Sequence, residues 1–234
     1  AGKLIYALDV VSYRRLCLAN KENKLDLNEE LEFLAEMCSE HPKNYQVWHH
    51  RKFLVQQLND CSAELDFTKD CILEDSKNYH AWAFRQWVIR TFNLWDKELE
   101  VVEEFLEKDP RNNSAWNERY FVLSNAAHLL DVNKEIEFSI KYIRKSPNNL
   151  SPWCYLKGLV KNARFGDYPA IEAFCKEAAE SYPICPHVHS LLVDIAEEKK
   201  DKDSAAAECD VLATKLDTIH AKYWNYRKSR VMCN

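Results

Sequence analysis

Three cations recur in one register of this chain. Lys43, Lys77 and Arg111 each stand directly before an asparagine and shortly before a tryptophan, in Lys43-Asn44-Tyr45-Gln46-Val47-Trp48, Lys77-Asn78-Tyr79-His80-Ala81-Trp82 and Arg111-Asn112-Asn113-Ser114-Ala115-Trp116. An asparagine ahead of a helical run is a natural N-cap. Each cation therefore lies at a helix N-terminus, where unpaired N–H groups and the helix dipole favour negative charge. Stacking the units would line the cations along one rim, suited to a diphosphate or a carboxylate. The same residues also read as solvated turn positions with capping asparagines, and spacing does not choose between the two.

Other polar groups point to structure. Arg51, Arg85 and Arg119 follow Trp48, Trp82 and Trp116 by one helical turn and share a face with them. A catalytic group is needed once, whereas these pairs repeat. The expectation is that each indole fills a gap between units and each guanidinium bonds a neighbouring carboxylate or carbonyl. Cys185, His187 and His189, with Cys175 nearby, have the residue types of a zinc site but not an evident set of four ligands. They read as a proline-rich turn with incidental histidines, and no metal site is expected in this chain. His49-His50 offers a base, but no Ser or Cys nucleophile is positioned to use it. The segment from Glu197 to Asp203 reads as a solvated helix end and turn, and Cys233 does not create a CaaX signal on this chain.

The elements that position these residues follow from a repeat. Glu30-Leu31-Glu32-Phe33 returns as Glu64-Leu65-Asp66-Phe67, Glu98-Leu99-Glu100-Val101 and Glu135-Ile136-Glu137-Phe138, and the tryptophan phrase returns a fourth time as Asn148-Asn149-Leu150-Ser151-Pro152-Trp153. Such a period belongs to stacked supersecondary units, each too small to bury its own apolar face. Each unit reads as a helix, a turn and a second helix. In the second unit Leu65, Thr68, Ile72 and Leu73 keep helical spacing, and the next helix runs from about Tyr79 to Thr91 with Trp82, Arg85, Ile89 and Phe92 on one side. In the third, Leu99, Val102 and Leu106 precede a turn at Pro110, then Trp116, Arg119, Tyr120 and Leu123 follow.

The spacing predicts an all-α, right-handed α-α superhelix of about six stacked helical hairpins, a crescent-shaped solenoid forming one domain over 1–234. Repeats are clearest at 27–162 and degenerate at 1–20 and 167–234. A worn second helix falls at Val11-Ser12-Tyr13-Arg14, a first helix around Ile171 and Phe174, and a last Trp-x-x-Arg pair at Trp224 and Arg227.

Composition removes alternatives. Three glycines in 234 residues leave no phosphate loop or dinucleotide-binding turn. A net charge of −5 gives no field for wrapping nucleic acid. No apolar run is long enough for a membrane span, and the start lacks a signal-peptide pattern. Nine cysteines without a CxxC pair fit reduced thiols in a cytoplasmic protein.

The phrases Lys43 to Arg51, Lys77 to Trp82 with Arg85-Gln86-Trp87-Val88-Ile89, and Arg111 to Asn117 with Arg119-Tyr120-Phe121 closely resemble the α subunit of protein farnesyltransferase, shared with geranylgeranyltransferase type I. Generic tetratricopeptide repeats share the period but lack this wording, and the Rab-type α subunit is a more distant likeness. The resemblance is strong from about Glu29 to Leu159 and fainter through Trp224.

It implies a heterodimeric transferase. The family moves a farnesyl or geranylgeranyl group from its diphosphate to the cysteine of a C-terminal CaaX motif. The β subunit contributes zinc and most of the lipid pocket, magnesium accompanies the holoenzyme, and this chain is scaffold plus one wall of the active site. By likeness Lys43 is the catalytic residue, contacting the diphosphate; Tyr45 lines the site, Gln46 receives the peptide carboxylate, and Asn78, Tyr79 and His80 surround the same boundary.

One departure is visible. Val10 and Val11 stand where the family has aromatic residues, and too few residues precede Leu8 for another hairpin, so an N-terminally truncated chain is expected. The competing readings are a helical-repeat scaffold without chemistry and a Rab-type geranylgeranyltransferase α subunit.

Overall fold

The computed structural model describes residues 13–14 and 26–233, and among these every regular element is helical. The α-helices are α1 Leu27–Glu40, α2 Tyr45–Leu58, α3 Glu64–Glu74, α4 Tyr79–Phe92, α5 Glu98–Lys108, α6 Asn113–Asn125, α7 Val132–Lys145, α8 Leu150–Leu159, α9 Pro169–Ser181, α10 Pro186–Lys199, α11 Lys202–Val211 and α12 Ala221–Cys233. They follow one another as six helix-turn-helix pairs, and Tyr13 and Arg14 are helical ahead of them. Val10 and Val11 lie outside the described residues.

The chain divides into two compact units, Ala1–Val101 and Val102–Asn234, with the division falling in the sequence of α5. In the first unit α1 packs on α2 and α3 on α4, while α2 and α4 lie side by side. Leu34, Val47, Leu54, Val55, Ile72, Ala81, Val88 and Ile89 are sealed from solvent there. Leu73 departs from the apolar face its spacing assigned: it is exposed, and the buried side of α3 is carried by Glu64, Thr68 and Ile72.

Caps explain where the helices begin and end. Asp26, Asn44, Asn78, Asn112, Asp131, Asn149 and Asp201 each turn a side-chain oxygen onto first-turn N–H groups. Glycine usually fills the left-handed residue that closes a helix. Here Asn59, Asn93 and Lys200 take it, at φ 51°, 58° and 60°.

In the second unit α7 packs on α8, α9 on α10 and α11 on α12, with α6 beside α8. One apolar core joins Ile136, Ile143, Trp153 and Leu156 to Ile171, Phe174, Val188 and Leu191. A smaller one gathers Val193, Cys209, Leu212 and Trp224. Tyr120, grouped by spacing with Trp116 and Arg119, lies exposed at the surface. The segment expected as a solvated helix end is more than that. Glu197 accepts hydrogen bonds from Arg227 and Arg230, and Asp201 caps α11.

Candidate functional site

The two halves of the repeat phrase lock onto each other across neighbouring hairpins. Arg51 makes a two-pronged contact with Glu64, Nε to Oε2 at 2.7 Å and Nη2 to Oε1 at 2.8 Å. Arg85 does the same to Glu98, and Arg119 to Glu135, each with both bonds at 2.7 Å. Arg14 pairs with Glu30 in the same manner, Nε to Oε1 at 2.7 Å, the place of Arg51 one repeat earlier. The phenylalanine that ends three of the four first half-phrases supplies a ring beneath the guanidinium: Phe33 under Arg14 at 4.3 Å, Phe67 under Arg51 and Phe138 under Arg119 at 3.7 Å. All three later pairs are almost fully buried.

Burial alone raises carboxyl pKa values, and charge-assisted hydrogen bonds lower them. At Glu30, bonds from Arg14 and His50 outweigh burial and hold the carboxyl below its ordinary range. At Glu98 burial prevails over Arg85 and pushes it up. Tyr155 donates to Glu135 at 2.5 Å, and burial together with that carboxylate drives the phenol far above its ordinary value. His50, half of the possible base pair, is fully buried with Nε2 3.0 Å from Glu30.

The indoles occupy the gaps between hairpins. Trp48 lies 5.9 Å from Phe67 and 5.7 Å from Phe84, Trp116 meets Phe138, Tyr142 and Tyr155, and Trp153 stacks on Phe174. Each also donates its Nε1–H to the turn carbonyl six residues before it: Pro42, Ser76, Pro110 and Pro147, at 2.8–3.0 Å. Trp224 departs from this pattern and donates to the Asp217 carboxylate instead. Its companion Arg227 pairs backward with Asp194 and Glu197 rather than forward.

Against these buried pairs, Lys43, Tyr45 and Tyr79 stand in solvent. Tyr45 is 63% exposed and Tyr79 76%, both at the first residues of helices that lie side by side. Lys43 is exposed just ahead of α2 and Lys77 just ahead of α4. Gln46 extends Nε2 weakly toward the Tyr45 hydroxyl at 3.4 Å, while its Oε1 is buried without a hydrogen-bond partner among the described residues. His80 is half-buried, its ring edge-on to Tyr79. Asn78 differs from its neighbours: only 2% exposed, its Oδ1 accepts from the N–H groups of His80 and Ala81. Lys43, Tyr45, Gln46, Asn78, Tyr79 and His80 thus all fall in the first unit, at the starts of two adjacent helices.

No group of three metal-ligating side chains occurs among the described residues. Cys185 is buried and its thiol faces the Pro147 carbonyl at 3.2 Å, while His189 pairs with Glu208. That donor set does not fit zinc. Cys185 instead occupies the register of the capping asparagines, a substitution the spacing from Asn149 would have revealed. The Arg-to-Glu lock had a signal too, since Glu30, Glu64, Glu98 and Glu135 head every copy of the first half-phrase.

Comparison with known proteins agrees with this geometry. The family model described as "Protein prenyltransferase alpha subunit repeat" matches residues 27–58, 61–92 and 95–126, which bracket the pairs α1–α2, α3–α4 and α5–α6. Over 120 residues, 48% of this chain, the sequence is 39% identical to the protein farnesyltransferase/geranylgeranyltransferase type-1 subunit alpha of Dictyostelium discoideum. The corresponding subunit of Solanum lycopersicum is 38% identical over 122 residues, 42% of this chain. The chain spans about a third of the length of these curated relatives, 37% and 34%. A chain from the structure of Candida albicans protein geranylgeranyltransferase-I complexed with GGPP superposes with a TM-score of 0.86 at 29% identity, covering 96% of this chain and 78% of that one. Residues 27–126 thus carry three matches to the protein prenyltransferase alpha subunit repeat, and the chain is similar, in sequence, to the alpha subunit of farnesyltransferase and geranylgeranyltransferase type 1 and, in fold, to a chain of geranylgeranyltransferase-I.

Proposed function

We propose that this chain is the α subunit of a heterodimeric, cytoplasmic protein prenyltransferase, which transfers a farnesyl or geranylgeranyl group from its diphosphate to the cysteine of a CaaX motif. The observation that carries the reading is a contrast within the repeat. The arginines of the phrase are buried in ion pairs, whereas Lys43, Tyr45 and Tyr79 are presented to solvent at two adjacent helix starts. That exposure supports a site shared with a second chain.

In the reaction a sulfur–carbon bond forms at C1 of the isoprenoid as the C1–oxygen bond breaks, and the diphosphate leaves with the electron pair. Lys43 meets that developing negative charge, where an ammonium placed in advance stabilises the transition state more than the bound substrate. The first turn of α2 adds its dipole on the same side. Gln46 Nε2 is a donor for the carboxylate of the peptide, and Tyr45, Tyr79 and His80 form the wall between the two substrates. Zinc bound by the β subunit would hold the cysteine as its thiolate, the proton passing to solvent, and magnesium would supply positive charge at the diphosphate.

Co-expression with a farnesyltransferase β subunit, followed by an assay of isoprenoid transfer to a CaaX peptide, tests the proposal. Zinc-dependent turnover by the purified pair, absent from either chain alone, supports it. A pair that co-purifies but transfers no isoprenoid, farnesyl or geranylgeranyl, would leave this chain an interaction scaffold.

A further inference from the structure

We infer that Asn78 is a positioning residue for Lys43, acting from the next hairpin through the carbonyl of Pro42 and not by touching substrate; the catalytic half of this inference rests on the function proposed above. Asn78 has almost no surface to offer a ligand, and its amide is already committed. Oδ1 must accept, because it faces the N–H groups of His80 and Ala81 at 3.0 and 3.3 Å. Nδ2 is thereby fixed as the donor and points at Pro42 O, 3.2 Å away and 36 residues earlier in the chain. The same oxygen accepts the Trp48 indole N–H at 2.9 Å.

Pro42 O belongs to the peptide group whose nitrogen is Lys43. Two donors from two hairpins therefore set the plane of the peptide from which Lys43 springs. Proline at 42 fixes its own φ as well. A long, exposed lysine has much rotamer freedom, so the backbone it starts from is what the fold can hold still.

The arrangement is a built feature. Pro110 O accepts Trp116 Nε1 at 2.9 Å and Asn149 Nδ2 at 2.7 Å. Pro147 O accepts Trp153 Nε1 at 2.8 Å and the Cys185 thiol at 3.2 Å. Each of these carbonyls is shared by the indole of its own repeat and the cap residue of the next. At Pro42 alone among these three does the following residue carry the role proposed for catalysis. Cys185 shows further that the donor survives where the cap is weakened, since its sulfur makes no regular side-chain cap bond.

Those two functions of the asparagine can be separated by substitution. Asn78→Asp keeps the cap acceptor and cannot donate to Pro42 O. Asn78→Cys weakens the cap and keeps a weak donor. In the α–β complex, a purely structural role makes activity follow stability, with the Asp variant better on both. Positioning reverses the order for kcat: Asn78→Asp falls roughly 10- to 100-fold while Asn78→Cys, though less stable, retains more. Asn149→Asp, the same change at Pro110, should leave kcat within about twofold.

The decisive comparison is the double variant with Lys43→Ala. Asn78→Asp should add no further loss of kcat once Lys43 is gone. Multiplying losses would overturn the inference, because a residue touching substrate, or a misplaced negative charge acting directly on the diphosphate, would still be felt. Amide hydrogen exchange supplies a readout independent of turnover. Asn78→Asp should speed exchange at Asn44 and Gln46, whose N–H groups close this turn on His41 and Asn44. Unchanged exchange would remove the staple whatever the activity. Faster exchange in a complex with no wild-type transfer would overturn the proposed function and the catalytic half of the inference together, leaving the staple in place.

Discussion

At the scale of single residues, the buried arginine–glutamate pairs are the most consequential features and the most asymmetric. A paired buried charge is roughly neutral against a hydrophobic replacement, but stripping one partner strands the other. Arg85→Ala is therefore expected to cost about 3–5 kcal/mol in urea unfolding, because Glu98 sits 1% exposed beside it. Arg85→Met with Glu98→Leu should recover most of that loss, and a double variant as unstable as the single one would contradict the pairing. Glu30 carries a pH dependence. Its carboxyl is held below the ordinary range in the folded chain by Arg14 and His50. Its contribution is thus complete above the unfolded carboxylate range and disappears as pH falls through the depressed folded value. Stability measured from neutral pH downward should fall less steeply in Glu30→Gln than in the parent protein. Equal slopes would mean that Glu30 is not ion-paired.

At the scale of elements, the first four hairpins are legible because three signals coincide at each one: the helical spacing of apolar residues, a capping asparagine, and a tryptophan four residues after it. Helix α4 was expected from about Tyr79 to Thr91 and runs from Tyr79 to Phe92. What spacing could not convey is which neighbour a repeated residue touches. The arginines were expected to bond some carboxylate or carbonyl, and the partner proves to be the glutamate heading the next hairpin, with Leu31 O and Leu65 O as additional acceptors for Arg51 and Arg85. Leu73 departs from its spacing for a related reason. Its helical angle suits burial, but the neighbouring helix covers the face of Thr68 and Ile72 instead. The scarcity of glycine has its own structural consequence at Asn59, which closes α2 in the left-handed region. Asn59→Gly should leave stability unchanged or raise it by up to about 1 kcal/mol, whereas Asn59→Val should lose roughly 1–2 kcal/mol. Thermal unfolding of the two variants distinguishes them, and a tolerated valine would contradict the left-handed assignment.

At the scale of the whole molecule, no described helix is long and apolar enough to cross a membrane, and the eight described cysteines are free thiols. Burial pushes Cys38 and Cys175 up to about 12. In the native chain at pH 8, an aromatic disulfide reagent should label exposed Cys154 and Cys233 quickly and reach Cys38 and Cys175 only on unfolding. Rapid native labelling of Cys38 would show that the α1–α2 core opens. The candidate site was legible only in part. Lys43, Tyr45 and Tyr79 stand out once exposure is known, yet sequence alone gives Lys43 and Lys77 the same words. The most direct test separates those two cations: the kcat of isoprenoid transfer to a CaaX peptide, measured for the α–β complex carrying Lys43→Ala beside one carrying Lys77→Ala. A fall of about 100- to 1,000-fold for Lys43→Ala, with Lys77→Ala close to the parent and both complexes intact, is the predicted result. Equal, small effects of the two substitutions would contradict a catalytic place for Lys43.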